Sequence, residues 1–128
     1  MRGLQFKRKL KVLIAEDNVS NQALMRIYVK SFGGIPHIAA NGKEAVQEFM
    51  EQDFDVVLMD IDMPVLDGFN ATSQIRSKNK KVPIIAVTVY DDTEYIKKSK
   101  QIGMNDYIAK PYPRQELFRA IQQSVGMS

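Results

Sequence analysis

The chain has no cysteine. That excludes a disulfide framework and a thiolate metal site. A single histidine, His37, rules out a His-rich zinc centre; it follows Pro36 in a short apolar segment and reads as structural. No stretch approaches the roughly 20 consecutive apolar residues of a membrane-spanning helix. The N-terminus lacks the continuous apolar core of a secretory signal. The phosphate-loop pattern GxxxxGKS/T is missing, since Gly33-Gly34 is not followed by the residues it needs, and the nucleophile elbow GxSxG is missing too. NTPase and α/β-hydrolase chemistry are disfavoured accordingly. Together these absences agree with a cytoplasmic globular protein.

What is present fits one domain. In 128 residues, 45% apolar and 26% charged, a chain can bury a real core. The net charge of +3 is unevenly spread. Arg2, Lys7, Arg8, Lys9 and Lys11 are basic, and the other 13 basic residues face 15 acidic ones, so the body is slightly acidic. A short basic leader suits an anionic partner or a solvated linker end, and the linker end is the reading adopted. Residues 1–9 are then an N-terminal extension and residues 10–126 the domain, with no nucleic-acid role. The tract Lys78-Asn79-Lys80-Lys81 reads as a solvated turn, and the seven methionines as core and loop filler.

Short apolar runs alternate with helical patterns. Strands are expected at 11–15, 35–39, 55–60, 83–88 and 107–109; the first lacks polar alternation, as in sheets covered on both faces. Helices are expected at 19–32, with Ala23, Leu24, Ile27 and Tyr28 inward, then around Ala45, Val46, Phe49 and Met50, around Phe69, Ala71, Thr72 and Ile75, at 92–102 and at 114–125. Asn18 or Ser20 caps the first helix, Gly33-Gly34 stops it, and Gly103 ends the fourth. Asn41-Gly42 reads as a turn, and Asp67-Gly68 as loop punctuation. Pro36 favours an edge strand. The alternation predicts an α/β fold: a (βα)5 doubly wound parallel sheet of five strands, in the flavodoxin-like order 2-1-3-4-5.

That order brings polar groups together. Glu16 and Asp17 follow the first strand, Asp60 ends the third, Thr88 ends the fourth, and Lys110 follows the fifth. All lie at the carboxyl edge, where open parallel sheets bind ligands. Three carboxylates repel one another, so at least one pKa rises without a counterion. Magnesium, hard and oxygen-seeking, is the natural counterion. Lys110 supplies a point charge for a phosphoryl oxygen, and Pro111 fixes the path of its loop, with a cis bond as one way to do so. Asp60 is the best-placed nucleophile for an aspartyl-phosphate.

From about Leu10 to Val125 the chain resembles a receiver domain of two-component response regulators. The resemblance rests on Ile14-Ala15-Glu16-Asp17-Asn18, Leu58-Met59-Asp60-Ile61-Asp62-Met63-Pro64, Asp67-Gly68, Pro83-Ile84-Ile85-Ala86-Val87-Thr88, Gly103-Met104-Asn105-Asp106-Tyr107 and Lys110-Pro111. Asn18, Asn21 and the stretch from Gly103 to Tyr107 look most like receivers attached to hybrid sensor histidine kinases. The resemblance implies that Asp60 accepts phosphoryl from a phosphohistidine of a histidine kinase or histidine phosphotransfer domain, as a phosphoacceptor with slow autodephosphorylation. It implies Mg2+, or Mn2+, held by Asp17, Asp60 and the Asp62 backbone carbonyl, with Glu16 acting more through water. Lys110 would contact the phosphoryl oxygens. Thr88 and Tyr107 would be a switch pair shifting the face of the fourth helix, fifth strand and fifth helix, and a switch-dependent dimer fits such a face. The family commonly has a small residue after Thr88; here Val89 and bulky Tyr90 follow, which bears on access to the acyl phosphate and on its lifetime. Two alternatives stay open: a pseudo-receiver that is never phosphorylated, and an aspartate-nucleophile phosphatase of the haloacid dehalogenase type, suggested by Asp60-Ile61-Asp62.

Overall fold

The computed structural model describes residues 3–90 and 92–126. Ten elements alternate: β1 (Lys11–Ala15), α1 (Val19–Ser31), β2 (Ile35–Ala39), α2 (Gly42–Glu51), β3 (Val56–Met59), α3 (Gly68–Lys78), β4 (Ile84–Thr88), α4 (Thr93–Ile102), β5 (Asp106–Ala109) and α5 (Arg114–Ser124). All strand pairs are parallel, in the order β2-β1-β3-β4-β5. The flavodoxin-like order predicted from alternation is therefore the one observed, with Pro36 on an edge strand. Among the described residues no helix is long and apolar enough to cross a membrane.

The sheet divides two cores, because successive strand residues point to opposite faces. Leu13, Val57, Met59, Ile84 and Ala86 pack with Ala45, Phe69, Ala71 and Ile75 on the α2–α3 side. Val12, Ile14, Val56, Leu58, Ile85 and Val87 pack with Met25, Val29, Leu117 and Ile121 on the α1–α5 side. The three central strands are apolar along nearly their whole length, Lys11 and Thr88 at their ends excepted, because both their faces are covered.

Helix starts are set by side-chain caps. Asn18, Asn41, Asp67 and Asp92 each accept an N–H from three residues on, at Asn21, Glu44, Asn70 and Tyr95. Asn41-Gly42 is thus the start of α2 rather than a free turn. Gly103, at φ 109, closes α4 in the left-handed conformation that suits glycine.

Two expectations need correction. In α1 the buried stripe is Met25 and Val29, continued by Phe32, while Leu24 and Ile27 are exposed. Both stripes have helical spacing, and packing into the core on this side of the sheet selects between them. The leader also differs from a linker lying outside the domain. Met1 and Arg2 lie outside the described residues, but Phe6 is buried and Leu4 packs on the α1–α5 core. An isolated aromatic residue in a basic stretch carries no periodicity, so nothing local reveals its burial.

Gly68 is packed against the backbone that carries Asp60. A Cβ there would stand 2.1 Å from the backbone oxygen of Asp60 and 2.8 Å from Cα of Ile61. Relief would require backbone movement beside Asp60. Gly68→Ala is expected to cost about 2 kcal/mol or more, read as a lower urea midpoint at unchanged slope.

Candidate functional site

Backbone pairing runs one residue past the strands. The Glu16 N–H donates to Ala39 O (3.0 Å), Asp60 N–H to Ala15 O (3.0 Å) and Lys110 N–H to Thr88 O (2.7 Å). Three candidate site residues thus leave one sheet edge with their backbones already fixed. The Lys110–Pro111 bond is cis.

Their side chains converge. Lys110 Nζ lies 2.6 Å from Glu16 Oε1 and 3.2 Å from Asp60 Oδ2. Glu16 is 1% exposed and Asp60 5%, so both charges depend on protein partners. The remaining oxygens are also met: Asn18 N–H donates to Glu16 Oε2 (3.1 Å), and Asp62 N–H to Asp60 Oδ1 (3.2 Å). One carboxylate oxygen from each of Glu16, Asp17 and Asp60 falls within 4.8 Å of the others. Three hard oxygen donors so spaced suit a magnesium-type cation.

One ammonium serves two buried carboxylates. Burial raises the Asp60 pKa from 3.8 to about 6; Lys110 opposes the rise, Glu16 adds to it, and the Asp62 N–H lowers it. For Lys110, burial acts downward, but the Glu16 hydrogen bond and the charges of Asp60 and Glu16 raise its pKa overall. The lysine therefore stays charged while Asp60 titrates.

Thr88 is buried at the end of β4, and its Oγ1 accepts the Tyr90 N–H at 3.4 Å. Tyr107 is half-buried against the α2–α3 side core. Sequence reasoning flagged Tyr90 as bulky but missed what it touches. Its hydroxyl donates to Asp62 Oδ2 (3.3 Å), and its ring stacks on Tyr95 at 4.8 Å and 10°. Tyr95 stacks in turn on Phe69 at 5.9 Å, and Lys98 Nζ sits 4.6 Å from the Phe69 centroid. These rings line a cleft of about 510 Å³ between Asp62 and α4. The only local signal was an aromatic pair spaced across the start of α4. On the other flank of Lys110, Leu24, Met25, Val89, Pro111 and Tyr112 line a second cavity of about 300 Å³. Val89 is exposed.

The comparisons with known proteins agree with this architecture. Residues 12–122 match the model of the response regulator receiver domain. The chain is 36% identical over 115 residues to hybrid signal transduction histidine kinase G of Dictyostelium discoideum, covering 86% of this chain and 3% of that protein. It is 36% identical over 124 residues to two-component response regulator ARR22 of Arabidopsis thaliana, covering 94% and 87%. The receiver domain of sensor histidine kinase PA1611 from Pseudomonas aeruginosa PAO1, solved with magnesium coordinated in its active site cleft, superimposes with a TM-score of 0.87 at 39% identity, covering 93% of this chain and 99% of that one. Several curated relatives are much longer: the chain spans 48% of one Bacteroides regulator and 52% of one Priestia regulator. The chain belongs to the response regulator receiver domain family.

The Asp60 environment makes a prediction for the metal-free protein. The carboxyl titrates near 3.8 when unfolded and near 6 when folded, so the native state binds the proton more tightly. That contribution to stability is complete below about pH 3.8 and is lost as pH rises through 6. Asp60→Asn is neutral at every pH. It is expected to match wild type near pH 3.8 and to exceed it by about 3 kcal/mol at pH 8, measured by urea unfolding at both pH values.

Proposed function

We propose that the domain is a phosphoacceptor switch in which Asp60 is the acceptor. An Asp60 oxygen attacks the phosphorus of a phosphohistidine on a histidine kinase or histidine phosphotransfer protein. The P–N bond breaks, its electron pair leaves on the imidazole nitrogen, and an acyl phosphate remains on Asp60. The carrying observation is the buried Asp60 carboxylate, held by Lys110 and the Asp62 N–H beside two more carboxylates.

Asp17, Asp60 and the Asp62 carbonyl would hold Mg2+, with Mn2+ as a substitute. Glu16 would act through water, since Lys110 and the Asn18 N–H already engage its two oxygens. Bound there, the cation offsets the charge of the cluster and of the phosphoryl oxygens. The magnesium in the cleft of the related sensor-kinase receiver supports this choice of ion. Lys110 then pairs with a phosphoryl oxygen, and Thr88 donates its hydroxyl to another. Moving Thr88 would free space for Tyr107 and shift the α4-β5-α5 face. The absence of cysteine fits operation in the cytoplasm.

A phosphohistidine must come within bonding distance of Asp60, so its carrier has to cover the rim. The flank next to Lys110 offers exposed Leu24 and Val89, with Pro111 between them and Lys110. Apolar rim residues around a charged centre suit docking of another protein.

Acetyl phosphate or beryllofluoride is expected to modify wild type only when a divalent cation is present. Asp60→Asn should abolish modification with the fold retained; an Asn variant that still acquired an acid-stable, base-labile phosphate would remove Asp60 from the role. Leu24→Lys is expected to slow transfer from a phosphohistidine protein about tenfold or more. Its labelling by acetyl phosphate should not change, and equal loss with both donors would count against the docking flank.

A further inference from the structure

Residues 3–9 form no helix or strand, yet they make specific contacts. At the end of α1, carbonyls lack intrahelical partners. Two of them are met by the leader: Gln5 Nε2 donates to Ser31 O (2.6 Å), and Phe6 N–H donates to Phe32 O (2.9 Å). The Phe6 ring, 9% exposed, stacks on Phe118 of α5 at 5.4 Å and 11° and meets Phe32 edge-on at 5.5 Å. Phe32 meets Phe118 edge-on at 5.0 Å, closing a three-ring cluster. Room for the ring depends on Gly34, where a Cβ would stand 3.2 Å from Phe6 Cε2. The exposed Arg8–Asp55 pair at 3.3 Å adds little by comparison.

The same end of α1 also holds the start of α5. Arg114 donates through Nε and Nη2 to Ser31 Oγ at 3.0 and 2.9 Å, and its guanidinium lies 4.9 Å from the Phe32 centroid. Tyr112 rests edge-on against Tyr28 at 6.3 Å. Ser31 and Phe32 are therefore touched from one side by the leader and from the other by the segment that follows Lys110.

We propose that residues 4–6 are an intramolecular strap, with Phe6 the resident ligand of an aromatic groove formed by Phe32, Gly34 and Phe118. Docked, the strap clamps α5 to α1 and steadies the 110–114 turn that carries Lys110. Phe6 is thus a positioning residue for Lys110, acting through Phe32 and Ser31, although it lies ahead of the residues matched by the family model. The strap is a property of the fold itself and stands whether or not Asp60 is phosphorylated.

Amide hydrogen exchange on the full chain, without metal or phosphodonor, tests this. In Phe6→Ala, exchange is expected to accelerate about tenfold or more at residues 28–34 and 112–121, and less at Gly42–Glu51 and Gly68–Lys78. Phe118→Ala should give the same regional pattern, and the double variant should add little to either single one, because all three remove one cluster. Phe6→Leu, which keeps apolar bulk without the ring stack, should show the pattern more weakly and serves if the alanine variant does not fold. Acceleration confined to residues 3–10, or spread evenly over all helices, overturns the strap. So does full additivity of Phe6→Ala and Phe118→Ala.

Discussion

Lys110 stands between two buried carboxylates, 2.6 Å from Glu16 and 3.2 Å from Asp60, and one positive charge must serve both. Removing such a partner leaves charges buried and uncompensated, which is far more costly than losing a surface pair. The three residues come from the ends of β1, β3 and β5, so the arrangement exists only if the whole sheet is in register. Gly68, pressed against the backbone of Asp60, belongs to the same constraint. Burial, with the neighbouring Glu16 charge adding to it, raises the Asp60 pKa even though Lys110 opposes the rise.

The parts of this arrangement legible in the sequence were those with a local signature. The central strands appeared as apolar runs because both faces are covered, and each run ended at a polar residue that the structure places at one edge. Alternation with helices then gave the strand order through chain connectivity. Asn18 and Asp92 behaved as their types suggest at helix starts. What escaped was decided by distant partners. Leu24 and Met25 are neighbours on α1, and packing onto the sheet and its core determines which is buried. Phe6 is buried by Phe32 and Phe118, 26 and 112 positions away in the chain. The hydroxyl contact of Tyr90 with Asp62 depends on the path of the loop after β4, which no spacing rule supplies.

The two flanks of the site have different characters. Toward α1 the rim is aliphatic and open, with Leu24, Val89 and Pro111 around Lys110. Toward α4 it is aromatic and tied down by the stack of Tyr90, Tyr95 and Phe69 under Lys98. α4 is otherwise polar and buries only Ser99 fully, so these rings supply much of its attachment. A helix anchored by few apolar contacts moves at low cost, and its anchor here reaches the residue two positions after the phosphoacceptor candidate.

That aromatic stack also has an optical consequence. The chain contains five tyrosines and no tryptophan, so tyrosine emission is not masked by the stronger indole signal. Tyr90 carries a hydrogen bond to a carboxylate and a parallel ring 4.8 Å away, both of which alter the excited state of a phenol. Any event that draws the Asp62 carboxylate away from Tyr90 changes the surroundings of one chromophore in five, and the protein carries its own label at the mouth of the site.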